Sequence, residues 1–497
     1  MGTREHLDRL FAPRRLAMIG ATGNLSKWGG MILLNVLVNG YQGRVFPVNP
    51  GCREIMGLKA FRRVTDIPGE VDLACVVTPA HTVRGLLADC AAKGIRTVLV
   101  ISSNFSETGP EGSRRERELL AEARDRGIRL IGPNSMGVFS SPVSLVCMMA
   151  LLEPLKGEIS LVSQSGNIGV HMLGWGKRLK AGFRHFVSSG NEADLTCQDY
   201  VRYFGEDPGC RSVMVYLESV KGESSFLEVA REVATRKPVV VFKGGKTPSG
   251  QRAAASHSGA LAGRRGVYEA LFRQAGLIQA RTTEAFIDCG RSLANLPLPR
   301  GNRVGILTRG GGWGVITTDA CEDQGLTVPT LDRKTLEDLD RLLPPYWSRG
   351  NPVDLVAVTD IEIYLECAGI LMRDPNVDGL IALGALPGRA SGFLRASKRN
   401  PALPGLGDTE IAEAESRAQL AGERVLEGII SLMKDLGKPV VFVGGKELSP
   451  RFEEIVGREG LDFYPSPERA VRVMARLMEY ARYRRRDKTT YPGMGPP

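Results

Sequence analysis

Strand-length apolar runs separated by helix-length amphipathic stretches recur along this chain. Residues 16–19, 44–48, 73–78, 97–102 and 129–131 are such runs in its first part. LACVVT and TVLVIS are continuously apolar rather than alternating, which predicts strands covered on both faces: a parallel sheet with helices on each side. A second set begins near Gly157 with ISLVS and continues through HFVSS, SVMVYLE and PVVVFK. A third follows the linker-like LANLPLPRGN, opening with RVGILTRGGGWGVITTDACEDQG and continuing with LIALGAL and PVVFVGG. The pattern predicts an α/β chain of three consecutive units, 1–151, 152–298 and 299–482, with a flexible tail over 483–497. The first break is placed near Leu152, where SSPVSLVCMMALLEPLKG is rich in turn residues and loses its period. GRASGFLRASKRNPALPGLGD, heavy in Gly, Pro and basic residues, predicts a long loop or lid.

Composition narrows the class. With 43% hydrophobic and 24% charged residues in 497, the chain can bury a core in each unit. The N-terminus has no apolar h-region and no apolar run exceeds strand length, so neither export nor membrane spanning is expected. Nine cysteines without a CxxC pair read as small buried hydrophobes in a reducing, cytoplasmic setting. A formal charge of +10 favours anionic partners. The basic residues are spread along the chain with no nucleic-acid fold signature, so the basic runs read as a solvated face or tail, and a polyphosphate-bearing small molecule fits the charge equally well.

The candidate chemistry sits where strands end. The first strand runs into Gly20, Ala21, Thr22 and Gly23, then Asn24 through Lys27, before a helix expected near Met31. Backbone amides in such a turn, with the positive end of the next helix, suit a phosphate, although glycine there also serves simply to close a tight turn. The spacing is not G-x-G-x-x-G, and the second strand ends VNPG without a ribose-binding acid, which disfavours a nicotinamide enzyme. Thr78 and Pro79, Ser102, and Asn134 of IGPNSMG lie at neighbouring strand ends, so several small polar groups can line one crevice. The second unit opens with Ser163, Gln164, Ser165 and Gly166 at a helix start, an anion site that capping alone explains poorly.

Five histidines are present, none paired at metal-ligand spacing. His257 differs from the rest in its surroundings, KGGKTPSGQRAAASHSGALAG, where small residues allow close approach and movement. An imidazole with its ordinary pKa near 6.5 is nucleophilic at neutral pH and can accept a phosphoryl group. A carboxylate on its other ring nitrogen would fix the tautomer, and Glu218, closing VMVYLE, is the candidate. His6, His81, His171 and His185 read as structural.

Taken together, ASHSGALAG, IGPNSMG, SLVSQSGNIG, VSSGNEAD, FGEDP and YLESVKG resemble the α subunit of the NDP-forming acyl-CoA synthetases, relatives of succinyl-CoA synthetase, over nearly the whole chain. The resemblance implies an N-terminal Rossmann-like CoA-binding domain followed by two flavodoxin-like succinyl-CoA-ligase domains. It matches His257 to a phosphohistidine, Glu218 to its acidic partner, and Ser163 with Ser165 to a phosphate cradle. Gly20, Ala21, Thr22, Asn24, Lys27, Thr78, Pro79, Ser102 and Asn134 then form the candidate set for coenzyme A. The implied reaction converts acyl-CoA, phosphate and NDP into carboxylic acid, CoA and NTP, reversibly, through an acyl phosphate. No stretch resembles an ATP-grasp domain, so a separate ATP-grasp β subunit handling ADP or ATP with Mg²⁺ is expected, giving a hetero-oligomer. Ser135-Met136, Ser103-Asn104 and Thr308-Arg309 stand where the family usually has other residues, which singles out the acyl and thioester region as the part that differs. A competing reading is a non-catalytic CoA-binding regulatory or scaffold subunit of the same fold, distinguished by CoA binding without a phosphoenzyme.

Overall fold

The computed structural model describes residues 2–219, 223–252, 265–356, 358, 360–385, 408–444 and 450–490. The basic Gly- and Pro-rich segment expected as a lid, and His257, lie outside the described residues. The chain divides into two compact units, Met1–Ala294 and Asn295–Pro497.

The first unit begins with α1 (Thr3–Phe11), β1 (Arg15–Ile19), α2 (Trp28–Val38), β2 (Arg44–Val48) and a small hairpin, β3 (Glu54–Ile55) and β4 (Leu58–Lys59). It continues with β5 (Leu73–Val76), α3 (Ala80–Ala92), β6 (Thr97–Val100), α4 (Pro110–Asp125) and β7 (Arg129–Ile131). β2-β1-β5-β6-β7 form one parallel sheet. Its central strands are fully buried, Leu16, Met18, Leu73 and Leu99 being 0% exposed, each such side chain contributing about 1.5–3 kcal/mol of apolar transfer. That explains why these strands read as unbroken apolar runs.

The chain then enters a second sheet. β8 (Gly137–Ser140) and β9 (Leu145–Met148) form an antiparallel hairpin, followed by β10 (Lys156–Ser163), α5 (Gly166–Arg178), β11 (Phe183–Ser188), α6 (Cys197–Glu206) and β12 (Ser212–Leu217). α7 (Glu223–Ala234), β13 (Val239–Lys243), α8 (Arg265–Gln274), β14 (Ile278–Gln279) and α9 (Thr283–Asn295) complete it. The order is β14-β13-β12-β10-β11-β8-β9. The stretch that reads as a turn-rich break thus contains β9, the edge strand of the second sheet, and the end of β8, which pairs antiparallel with β11. Read in chain order, the parallel parts of both sheets run 2-1-3-4-5, the doubly wound arrangement that opens a crevice beside its first strand.

The second unit holds β15 (Val304–Thr308), α10 (Gly311–Asp323), α11 (Arg333–Asp340), β16 (Val353–Asp354), α12 (Ile361–Arg373) and β17 (Gly379–Leu383). α13 (Asp408–Leu436), β18 (Val440–Val443), α14 (Pro450–Arg458), β19 (Phe463–Tyr464) and α15 (Pro467–Thr490) follow. Its parallel sheet, β16-β15-β17-β18-β19, repeats the same order. The expected flexible tail is instead helical as far as Thr490: its Arg and Lys residues are good helix formers, and Arg485 donates to the Pro299 carbonyl at 2.9 Å. No described helix is long and apolar enough to cross a membrane.

One motif of the first unit, FGEDP, is structural. Asp207 of FGEDP accepts from His185 Nε2 at 3.0 Å and from both ends of the Arg184 guanidinium. His185 packs against Phe11, ring centroids 4.7 Å apart, and stacks on Phe204 at 5.8 Å, fastening α1 and α6 to β11. Burial pushes the His185 pKa below its ordinary 6.5, although Asp207 opposes the shift. A histidine held neutral in this way stabilises the fold above that ordinary value, and the contribution is lost as pH falls below it, because the unfolded chain then takes up the proton more readily. The urea midpoint should therefore fall between about pH 7.5 and about pH 5.5, less steeply in His185→Gln; equal slopes would contradict this.

Candidate active site

Glycine is required in the first loop by close backbone approach. Gly20 has φ +91°, and a Cβ there would lie 2.5 Å from the Val77 carbonyl oxygen, while one on Gly29 would lie 2.2 Å from the Gly20 carbonyl oxygen. α2 consequently starts at Trp28, three residues ahead of the expected Met31, with the glycine pair inside its first turn. The cap residue Lys27 offers that turn no side-chain hydrogen bond, and Asn24 and Lys27 are exposed beside it. Helix-start amides and a lysine therefore share one loop, an arrangement suited to phosphate. The Thr22 hydroxyl accepts from the Asn24 amide at 3.3 Å and the Ala21 carbonyl from Asn49 Nδ2 at 2.8 Å, bracing the loop from within.

The other strand-end residues of the first sheet come together in series. Ser102 Oγ donates to the Thr78 carbonyl, and the Asn134 amide donates to the Ser102 carbonyl at 2.9 Å. Pro79 caps α3, with Thr82 Oγ1 bonded to its carbonyl at 2.8 Å. The crevice beside β1 and β5 thus has the Gly20 loop on one wall and Thr78 and Pro79 on the other, as the strand order requires. The Ser102 hydroxyl is spent on backbone, so it holds β5 and β6 together.

The second crevice lies between β10 and β12, and both expected groups occupy its mouth. Buried Ser163 donates to the Ser165 carbonyl at 2.6 Å, shaping the turn. Gln164 turns sideways: Nε2 donates to the Ser219 carbonyl at 2.9 Å, and Oε1 accepts the Glu218 and Ser219 amides at 2.7 and 3.0 Å. Its amide group is therefore committed to the end of β12. Ser165 caps α5 without a side-chain bond to the first turn, so this hydroxyl and the helix-start amides are the groups placed to meet an anion. Burial, followed by the charge of Glu218, pushes the Tyr216 pKa up to about 12.

A residue outside the sequence-derived set completes this mouth. Lys243, ending β13, is only 7% exposed, and its Nζ donates to the carbonyls of Glu218 and Gly244, both at 2.7 Å. Burial lowers its pKa, while Glu218 favours the charged form. A lysine closing an apolar strand reads as an ordinary strand terminus; the available signal was the glycine pair directly behind it.

A short connection ties the strand ends of the first sheet to those of the second. After β7 the chain turns through Asn134, whose Nδ2 reaches Asn191 Oδ1 at 3.2 Å, and Ser135, whose buried hydroxyl donates to the Ser188 carbonyl at 2.6 Å. Met136 then lies against the start of α5 so closely that a Cβ on Gly166 would be 1.8 Å from Met136 Cγ.

Fold and site define an α/β protein combining a CoA-binding domain with succinyl-CoA-ligase-like domains. Residues 14–141 match the CoA binding domain family, 156–293 the succinyl-CoA ligase like flavodoxin domain and 304–386 the ligase-CoA domain. Over 481 residues the chain is 37% identical to the α subunit of acetate–CoA ligase [ADP-forming] II of Pyrococcus furiosus, covering 96% of this chain and 98% of that protein. Acetate–CoA ligase [ADP-forming] I of Archaeoglobus fulgidus is 34% identical over 95% of this chain and 68% of its own length. The solved structure of dinucleotide-forming acetyl-coenzyme A synthetase 1 of Ca. Korarchaeum cryptofilum, in complex with phosphate and ADP, superposes with a TM-score of 0.84 at 32% identity, covering 98% of this chain and 99% of that one. The chain belongs to the family of ADP-forming acetate–CoA ligase α subunits.

The contact of Met136 with Gly166 yields a direct test. Gly166→Ala forces its new methyl onto Met136 and should lower unfolding stability by about 1–3 kcal/mol. Adding Met136→Gly, which removes both Cγ and Cβ at 1.8 and 2.6 Å from that methyl, should make the double variant lose less than the sum of the two single losses in denaturant titrations, whereas simple additivity of the two changes would contradict the contact.

Proposed function

We propose that this chain is the α subunit of an ADP-forming acyl-CoA ligase, interconverting acyl-CoA, phosphate and ADP with carboxylic acid, CoA and ATP. The observation that carries this reading is the contact of Met136, in the connection that leaves the strand ends of the first sheet, with Gly166 at the start of α5. A thioester delivered along the first crevice would arrive beside a phosphate held at the second.

In this reading the Gly20 loop with Lys27 takes CoA phosphates, and the Thr78-Pro79 turn lines the opposite wall. Phosphate rests on the amides at the start of α5 with the Ser165 hydroxyl. A phosphate oxygen attacks the thioester carbonyl, the C–S bond breaks, and CoA leaves as the thiolate. The imidazole of His257 then attacks phosphorus, the P–O bond of the acyl phosphate breaks, and the carboxylate departs. Glu218 accepts a hydrogen bond from the opposite ring nitrogen and stabilises the charge that develops there. Transfer to ADP breaks the P–N bond, a favourable step because a protonated imidazole is a good leaving group.

The nucleotide and its Mg²⁺ are assigned to a separate ATP-grasp β subunit. Support for this comes from the A. fulgidus relative, of which this chain spans 68%, and from the P. furiosus relative, which is itself named a subunit. Acetate is the reference acid, since both of these relatives are named for it.

The test is turnover of the chain co-purified with its partner, measured as ATP formed from acetyl-CoA, phosphate and ADP. His257→Ala should lose at least about 10³-fold in kcat with CoA affinity unchanged. A variant that turns over like the parent would overturn the assignment, and CoA binding without turnover in the parent would favour a scaffold role.

A further inference from the structure

β12 ends at Leu217, and its last ladder pair is with Lys243 on β13, while on the other side β10 pairs only as far as Ser163 with Tyr216. The Leu217 carbonyl still accepts the Gly244 amide at 2.8 Å, but the N–H and C=O of Glu218 itself lie beyond the ladder and need other partners. Two side chains from the flanking strand ends provide them. Gln164 Oε1 accepts the Glu218 amide at 2.7 Å, and Lys243 Nζ donates to the Glu218 carbonyl at 2.7 Å. The same amide of Gln164 also binds both polar groups of the Ser219 backbone, and the same ammonium binds the Gly244 carbonyl. Glu218 is thus gripped from both neighbours, its N–H from β10 and its C=O from β13.

Lys243 is an unusual choice for the second grip. Its ammonium is buried, with the Tyr268 ring 5.3 Å away and no carboxylate at salt-bridge distance among the described residues. Lysine is seldom buried in such a setting, because a charge removed from water needs compensation. Here two carbonyls and an aromatic face supply it, with the charge of Glu218 nearby.

From this geometry we infer that Lys243 and Gln164 form a clamp that orients the Glu218 carboxylate, making Lys243 a positioning residue for phosphoryl transfer. The inference rests on the role of Glu218 proposed above. Holding both the N–H and the C=O of residue 218 fixes the direction of its Cα–Cβ bond, from which the carboxylate extends. Glu218 can then meet an imidazole without reorganising, which is where preorganised electrostatics gains its effect.

Two measurements test this and fail separately. Hydrogen exchange across the segment ending at Ser219 should be about tenfold faster in Lys243→Met, a near-isosteric neutral change, and in Gln164→Met. Unchanged exchange in both variants overturns the clamp. Phosphoenzyme formed from acetyl-CoA and labelled inorganic phosphate, with the partner present, should drop about tenfold in Lys243→Met, with CoA affinity retained, while Lys243→Met added to Glu218→Gln causes no further drop below Glu218→Gln alone. Losses that multiply in the double variant overturn the positioning role, because Lys243 would then act independently of Glu218. If Glu218→Gln alone labels like the parent, the proposed role of Glu218 falls while the exchange result still decides the clamp.

Discussion

The site depends on one short stretch of chain between β7 and β8, where the polypeptide leaves one sheet and joins the next. Residues 132–136 tie strand ends of the first sheet to strand ends of the second: Asn134 to Ser102 on one side and Ser135 to Ser188 on the other. The tie is made of buried backbone and hydroxyl bonds, which are costly to leave unmade. It holds strand ends of the two sheets together and sets Met136 against the start of α5. Reaction of a thioester with phosphate needs that kind of fixed juxtaposition, because most of the gain comes from removing the freedom of the two reactants beforehand.

Three sheets whose parallel parts share one strand order make the arrangement economical. Each order opens a crevice beside its first strand, and in the first two sheets the phosphate-suited helix starts, Trp28 and Gly166, fall there. Division of labour then follows from local residues. The first loop carries glycines and an exposed lysine; the second carries hydroxyls, a clamped glutamate and a buried lysine. On the reading proposed here, the first grips a cofactor by its phosphates while the second exchanges a phosphoryl group.

Much of this was legible in the sequence because burial on both faces writes strands as unbroken apolar runs. β1, β5, β6, β10, β12 and β13 were visible for that reason. The hairpin β8–β9 was not, since its strands are four residues each, separated by a Ser-Pro turn and joined antiparallel at a sheet edge. Gln164 read as part of an anion site because its neighbours are hydroxyls at a helix start, whereas its side chain serves the adjacent strand end. Lys243 escaped notice because a charge at the end of an apolar strand is ordinary, and only the fold reveals that this one points inward. The helical course of α15 past Arg485 was hidden by a cluster of like charges that reads as a solvated tail.

The central claim is that phosphate taken up beside the thioester is passed to His257. Peptide mapping by mass spectrometry, after the intact protein with its partner has reacted with acetyl-CoA and phosphate and been quenched at alkaline pH, tests this most directly. The account predicts phosphate on the peptide containing His257, absent when CoA replaces acetyl-CoA. Phosphate found only on a peptide carrying Ser163 and Ser165, or on none, would contradict it.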